Sequence, residues 1–221
     1  MRKMAEKARQ FVVLGLGKFG TSVAKTLVSG GHEVLAIDKD EEIVRYFSEN
    51  ATYAVQADIT NKESLRELGV SNFDVGIVAV GDNIESSILA TVMLKELGVG
   101  YIVAKAHNDI HKKILEKIGA DKVVFPEQEM GVRIATNLIN KNIIDVMAFS
   151  EEYRIVEVAV KQDWVGKDMR FLDLRKKHDM NVIAVKNSVD QRVISPTADY
   201  IMREEDVLVA IVHSSTKEET F

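Results

Sequence analysis

Short apolar runs rich in Val, Ile and Ala alternate along the first half of the chain with stretches whose apolar residues recur at helical spacing. "FVVLG" precedes Thr21 to Ser29, "EVLAID" precedes Glu41 to Glu49, and "YAVQAD" precedes Asn61 to Leu68. "VGIVAVG" then precedes Ile84 to Leu97, "YIVAKA" precedes Asp109 to Ile118, and "KVVF" ends at Pro126. Near-continuous apolar strands, each followed by a helix, predict an α/β fold: a doubly wound parallel sheet with both faces covered.

The pattern changes after Pro126. Met130, Ile134, Leu138 and Ile139 recur at helical spacing and "NIIDVMAF" follows. This is more apolar surface than a short helix hides within its own domain, and it predicts a linking helix pair that packs on something else. From Tyr153 the chain reads as strand "RIVEVAV", helix "LDLRKKH", and strands "NVIAV", "RVIS" and "DVLVAIV". These predict a small α+β lobe of about 70 residues, a size that is marginal alone and gains from dimerising. The expected organisation is therefore residues 1–127, 128–150 and 151–221.

Composition narrows the function. The chain has 221 residues, 46% apolar and 29% charged, with a formal charge of −5. Nucleic-acid binding rests on a clustered basic face, and here the lysines and arginines are scattered among acids. No cysteine is present, which removes disulfides, thiolate zinc sites and cysteine nucleophiles and fits a reducing compartment. The start "MRKMAEKARQ" lacks the apolar run of a signal peptide, and no stretch approaches the roughly 20 apolar residues of a membrane span. Work at a membrane is then expected to pass through a partner.

The candidate chemistry sits in "GLGKFG", residues 15–20, between the first strand and the first helix. Gly15 permits a tight turn, Gly17 lets backbone approach a phosphate, and Gly20 lets the helix lie against the strand. The second strand ends in Asp38, about 20 residues on, where a carboxylate accepts hydrogen bonds from ribose hydroxyls and repels a 2′-phosphate. Lys18 places a cation in the first turn of a helix, opposing the macrodipole at a cost of about 0.3–1 kcal/mol unless negative charge is near. A polyphosphate supplies that charge; a solvated lysine is the plain alternative. Asp58 and Lys105 fall at strand carboxyl ends, where open α/β sheets hold ligands. Asp58 also reads as a turn residue before a capping box from Thr60 to Glu63, and Lys105 as a solvated charge. His107 and His111 are four apart, the spacing of two metal ligands on one helix face, but no third ligand is evident. No nucleophile elbow appears, and Trp164 is expected to pack in the small lobe.

The segments "VLGLGKFG", "EVLAIDKDEE", "FDVGIVAVGDNIESSILATVMLKELG", "VAKAHNDIHKKILEKIGADKVVFPEQEMG" and "LDLRKKHDMNVIAVK" resemble the cytosolic regulatory subunits of Ktr and Trk potassium uptake systems. Those subunits are built from the RCK (also KTN) domain, with a Rossmann-like N-terminal lobe and a small C-terminal lobe. The resemblance spans nearly the whole chain beyond the first ten residues, and Asn83 to Gly131 is its most specific run. It implies a binding module and not an enzyme. The module is a cytoplasmic ring, usually an octamer built from dimers, that docks on the inner face of the cell membrane against a potassium-translocating subunit. ATP favours the conducting state and ADP the closed one.

Residue by residue, the resemblance assigns Gly15, Gly17, Lys18, Phe19, Gly20, Asp38, Lys39, Asp58, Gly81 and Lys105 to the nucleotide. Lys18 stands where relatives commonly carry an arginine that reaches the terminal phosphate bound by a neighbouring subunit. Glu127, in "FPEQEMG", matches a glutamate that holds a divalent cation, magnesium or calcium, beside the phosphates; a helix N-terminal acid after Pro126 is its bland counterpart. In the small lobe, Arg175, Asn181 and Pro196 resemble the lining of a cyclic di-AMP pocket, whereas Asp179 replaces a glycine common there and adds negative charge. The competing functions are a small NAD-dependent oxidoreductase and a free-standing NAD sensor. The identity of the bound nucleotide separates them.

Overall fold

The computed structural model describes residues 9–48, 53–81, 83–139, 142–187, 189 and 192–216. The charged start Met1 to Ala8 and the expected helix end at Glu49 lie outside them. The chain divides into two compact units, Met1–Pro126 and Glu127–Phe221.

The first unit is a six-stranded sheet in the order β3-β2-β1-β4-β5-β6, all of its pairs parallel. Its strands are β1 (Gln10–Leu14), β2 (Glu33–Asp38), β3 (Tyr53–Gln56), β4 (Val75–Val78), β5 (Tyr101–Lys105) and β6 (Lys122–Val124). Between them run α1 (Lys18–Ser29), α2 (Glu41–Ser48), α3 (Lys62–Glu67), α4 (Ile84–Glu96) and α5 (Asp109–Lys117). Successive side chains of a strand point to opposite faces, and the core divides accordingly. Val12, Leu14, Leu35 and Ile37 pack with Leu94 and Leu115 on one face. Val13, Val34 and Ala36 pack with Ala24 and Phe47 on the other. This two-sided burial explains why the strands read as continuous apolar runs. The strand order reverses between β1 and β4, opening a crevice at their carboxyl ends.

Asparagines start three of these helices. Asn61, Asn83 and Asn108 accept from the backbone N–H of Ser64, Ser86 and His111. The α3 cap therefore falls one residue later than the expected Thr60 to Glu63 box. Thr60 instead gives both its N–H and its hydroxyl to Asp58.

The second unit opens with α6 (Pro126–Ile139) and holds an antiparallel sheet in the order β10-β9-β11-β8-β7. Its strands are β7 (Ile143–Ala148), β8 (Tyr153–Ala159), β9 (Met180–Asn187), β10 (Val193–Ile194) and β11 (Asp206–His213). The expected linking helix pair is thus one helix and one strand: "NIIDVMAF" contains β7, which pairs with β8. Its β-branched residues favour the sheet once β8 offers an edge. Arg133 of α6 holds β7 by a fork to Asp145, donating from Nε to Oδ1 at 2.7 Å and from Nη2 to Oδ2. The expected helix "LDLRKKH" is two short ones, α7 (Met169–Leu172) and α8 (Leu174–His178), broken where Asp173 takes the left-handed φ of 45°. Trp164, 3% exposed, packs in this core with Val156, Leu172, Met202 and Leu208. No helix among the described residues is long and apolar enough to cross a membrane.

Candidate nucleotide-binding site

The glycine turn joins β1 to α1 at the point where the strand order reverses. Gly15 has a φ of +97°, and a Cβ there would lie 2.9 Å from Val80 Cγ2. At Gly20 a Cβ would fall 1.9 Å from the Gly15 carbonyl oxygen, so only glycine lets α1 start so close to the strand. Gly17 differs: nothing lies within 4 Å of its missing Cβ. This leaves open space at the first turn of α1, where free N–H groups and the positive end of the helix dipole can receive an anion.

Asp38 is tied to that turn. One of its carboxylate oxygens accepts the Leu16 N–H at 2.6 Å, and the other accepts the Asp40 N–H at 3.0 Å. A carboxylate offers about four lone-pair sites, so capacity remains for ribose hydroxyls. Thr21 fixes the turn from the helix side by donating its hydroxyl to the Leu16 carbonyl at 2.7 Å. Neither partner was evident from the glycine spacing. The residue between two glycines carries no side-chain signal, and a threonine in a helix start is unremarked until its acceptor is known.

Lys39 and Asp58 stand at the ends of adjacent strands. The Lys39 carbonyl accepts from Gln56 Nε2 at 3.1 Å. The Thr60 hydroxyl, then the Thr60 N–H, hold the Asp58 carboxyl below its ordinary range, with Lys39 charge adding to the effect. Across the crevice Lys105 lies over Gly81, since a Cβ at Gly81 would come within 2.9 Å of both Cε and Nζ of Lys105. The glycine at 81 therefore makes room for a lysine to reach over the end of β4. Phe19 is half-buried and packs beside Val13, Ala36 and Phe47. Lys18 is exposed and lines a groove of about 760 Å³ between α1 and α2 with Gly17, Ser22, Lys25, Glu42 and Tyr46. Asp38, Asp58, Gly81 and Lys105 are not on that groove.

Glu127 is exposed in the first turn of α6, in the second unit with Glu129. His107 and His111 do not form a metal pair. His107 precedes the α5 cap, whereas His111 is 1% exposed with Nδ1 accepting the His107 N–H at 3.2 Å. No group of three or more metal-ligating side chains converges among the described residues. In the small lobe Arg175 and Asn181 are exposed on α8 and β9, and Pro196 is half-buried after β10. Asp179 takes a left-handed φ of 52°, which accounts for glycine being at home there. Its carboxylate accepts from the Thr216 hydroxyl at 3.2 Å.

Family models match both units: the TrkA-N domain over residues 11–126 and the TrkA-C domain over residues 153–220. Over most of its length the chain is also similar to curated proteins. Ktr system potassium uptake protein C of Bacillus subtilis is 43% identical over 203 residues, covering 92% of this chain and 91% of that one. Ktr system potassium uptake protein A of the same organism is 44% identical over 207 residues, covering 94% and 93%. This chain belongs to the Ktr family of potassium uptake proteins. Among solved structures, the GsuK RCK domain aligns with a TM-score of 0.67 at 16% identity, covering 96% of this chain and 46% of that one. That likeness carries the fold, a Rossmann-like sheet with a small antiparallel lobe.

Proposed function

We propose that this chain is the cytoplasmic regulatory subunit of a Ktr-type system, in which an adenine nucleotide at the glycine turn sets the state of a membrane potassium-translocating partner. ATP favours conduction and ADP favours closure. The observation that carries the reading is the open space over Gly17 on a turn that Asp38 holds from the end of β2. Gly17 and the first N–H groups of α1 take a phosphate, Asp38 takes the ribose, and Lys39, Asp58, Gly81 and Lys105 border the rest of the crevice. Lys18, exposed on the α1–α2 groove, meets the terminal phosphate of a neighbouring copy in a ring of eight.

Magnesium or calcium fits this arrangement only as a shared ion. The described residues of one copy offer no three converging ligands, so Glu127 would hold the cation together with phosphate oxygens. The cation supplies neutralisation between carboxylate and triphosphate. In the small lobe, Arg175, Asn181 and Pro196 form the candidate cyclic di-AMP contact.

Titration of the purified chain with ATP, ADP and NAD, paired with potassium flux through the reconstituted membrane partner, tests the reading. Adenine nucleotides are expected to bind and to drive flux in opposite directions. Preferred binding of NAD with turnover of a reduced substrate would instead establish the oxidoreductase alternative.

A further inference from the structure

His111 is a buried titratable group that the nucleotide reading does not use. It lies in the first turn of α5, 1% exposed, and its Nδ1 accepts the His107 N–H at 3.2 Å. A neutral imidazole has one N–H and one lone pair. Because Nδ1 gives its lone pair to a backbone N–H, the ring proton is on Nε2. That nitrogen is buried with no hydrogen-bond partner among the described residues. An unpaired buried donor is a cost that leucine or methionine would avoid here, so stability alone does not account for the histidine.

The contact completes a run of backbone anchors at the carboxyl end of β5. Lys105 pairs with Val124 of β6, and the buried Ala106 donates its N–H to the Val124 carbonyl at 2.9 Å. His107 follows with its bond to His111, and Asn108 caps α5 by accepting the His111 N–H at 2.9 Å. The turn from strand to helix is thus held by both the ring and the backbone of His111. Directly before it, Lys105 lies over Gly81 at the border of the candidate nucleotide crevice.

A second proton on the ring removes the acceptor. Both nitrogens of imidazolium are donors, so an Nδ1–H would oppose the His107 N–H, and a charge would sit in an apolar interior. No carboxylate among the described residues offsets that charge. On α4 and β6, which pack against α5, Glu85, Lys95, Glu96 and Lys122 are exposed. On α5 itself Asp109 and Lys113 are exposed, and Lys112 turns to Glu116 at 3.8 Å. The charge that does bear on His111 is that of His107, and it opposes a second positive one. Burial, then this charge, hold the ring's pKa below its ordinary value, which sets the change below about pH 6.5.

We propose that His111 is a pH-operated latch on the β5–α5 turn: protonation of its ring releases the His107 N–H, frees the turn behind Lys105 and weakens nucleotide binding in the crevice. The coupling rests on the adenine-nucleotide reading above, whereas the latch does not. Linkage is reciprocal, so a bound nucleotide favours the neutral ring.

Two measurements separate latch from coupling. In the ligand-free full-length chain, the ring nitrogen resonances of His111 report its tautomer and titration, and amide exchange reports the His107 N–H. An Nε2–H tautomer at pH 7.5 is expected, with His107 protection lost as the ring titrates. An Nδ1–H tautomer, or protection that persists through the titration, would overturn the latch. For the coupling, ADP affinity is compared at pH 7.5 and 5.5 in the wild type and in His111→Gln, whose amide oxygen accepts the His107 N–H without titrating. Wild-type affinity should fall about fivefold further than that of the variant, because titration of the ADP phosphates is common to both. Equal falls would overturn the coupling. No ADP binding by the wild type at pH 7.5 would instead remove the nucleotide reading and the coupling with it, while the ring and amide measurements still decide the latch.

Discussion

In the proposed reading Asp38 and Lys18 act on different parts of the same ligand, and that difference separates affinity from switching. Asp38, fixed to the Leu16 N–H, is there assigned to the ribose, which ATP and ADP share. Asp38→Ala should therefore weaken both by about 1.5–3 kcal/mol, the value of a charged hydrogen-bond partner; calorimetry checks it. A ligand shifts a conformational equilibrium only by its differential affinity for the two states, so discrimination must arise at the third phosphate. Lys18→Ala should accordingly weaken ATP more than ADP and shrink the flux response. Equal loss for both nucleotides with flux control intact would make Lys18 a solvated surface charge. A third residue tests the backbone, since Asp179→Ala and Asp179→Gly both remove the exposed contact to Thr216 and differ only in backbone freedom. Asp179 sits at a φ of 52°, a region that costs an L-residue without a local partner about 1–2 kcal/mol. In denaturant melts Asp179→Ala should lose about 1 kcal/mol, whereas Asp179→Gly should be close to neutral, because the glycine's relaxed φ offsets its extra unfolded-state freedom.

At the scale of elements, the start of α5 carries a pH response. His111 is buried in its first turn with Nδ1 accepting the His107 N–H, and burial, then the charge of His107, pushes its pKa down. The folded state then binds fewer protons here than the unfolded chain. This contribution to stability is full above the unfolded histidine value, near 6.5, and is lost as pH falls toward the lower folded value. Melting of the wild type relative to His111→Gln should fall between pH 7.5 and 5.5; parallel profiles would refute it. The spacing of these histidines alone could not place them on one face, because four residues apart means one face only inside a helix and Asn108 caps α5 between them. The same limit explains β7. Periodicity marked "NIIDVMAF" as apolar and led to the expectation of a second linking helix, since the edge of β8 that makes it a strand is a partner contact outside the segment. The parallel sheet was legible because two-sided burial leaves continuous runs bounded by glycine turns. The geometry of the candidate site was legible wherever glycine or acid chemistry is position-specific, at Gly15, Gly20 and Asp38, and strand-end position with the resemblance also singled out Gly81 and Lys105. Not legible were the backbone partner at Leu16 and the approach of Lys105 over Gly81.

For the whole molecule, the question is what covers α6. Its Arg133 and Asn137 turn to Asp145 of β7, and the neighbouring stripe of Met130, Ile134 and Leu138 is left 49%, 51% and 80% exposed, with Ile139 at 74%. Residues four apart share one helix face, so these side chains form a continuous apolar surface on a unit that is small enough to be marginal alone. A second copy of the same stripe is self-complementary about a two-fold axis, and dimers joined in this way are the building block of the proposed ring. Burial of one leucine contributes about 1.5–3 kcal/mol, and a two-fold interface counts each substitution twice. Leu138→Asp should therefore raise the dimer dissociation constant by roughly two to four decades, at 1.4 kcal/mol per decade. Light scattering and sedimentation at micromolar concentration read this directly: an oligomer for the wild type and a shift toward monomer for Leu138→Asp, with the adenine-nucleotide contact at Asp38 retained. A wild type that remains a stable monomer under these conditions would remove the ring, and with it the route by which Lys18 reaches a neighbour's phosphate.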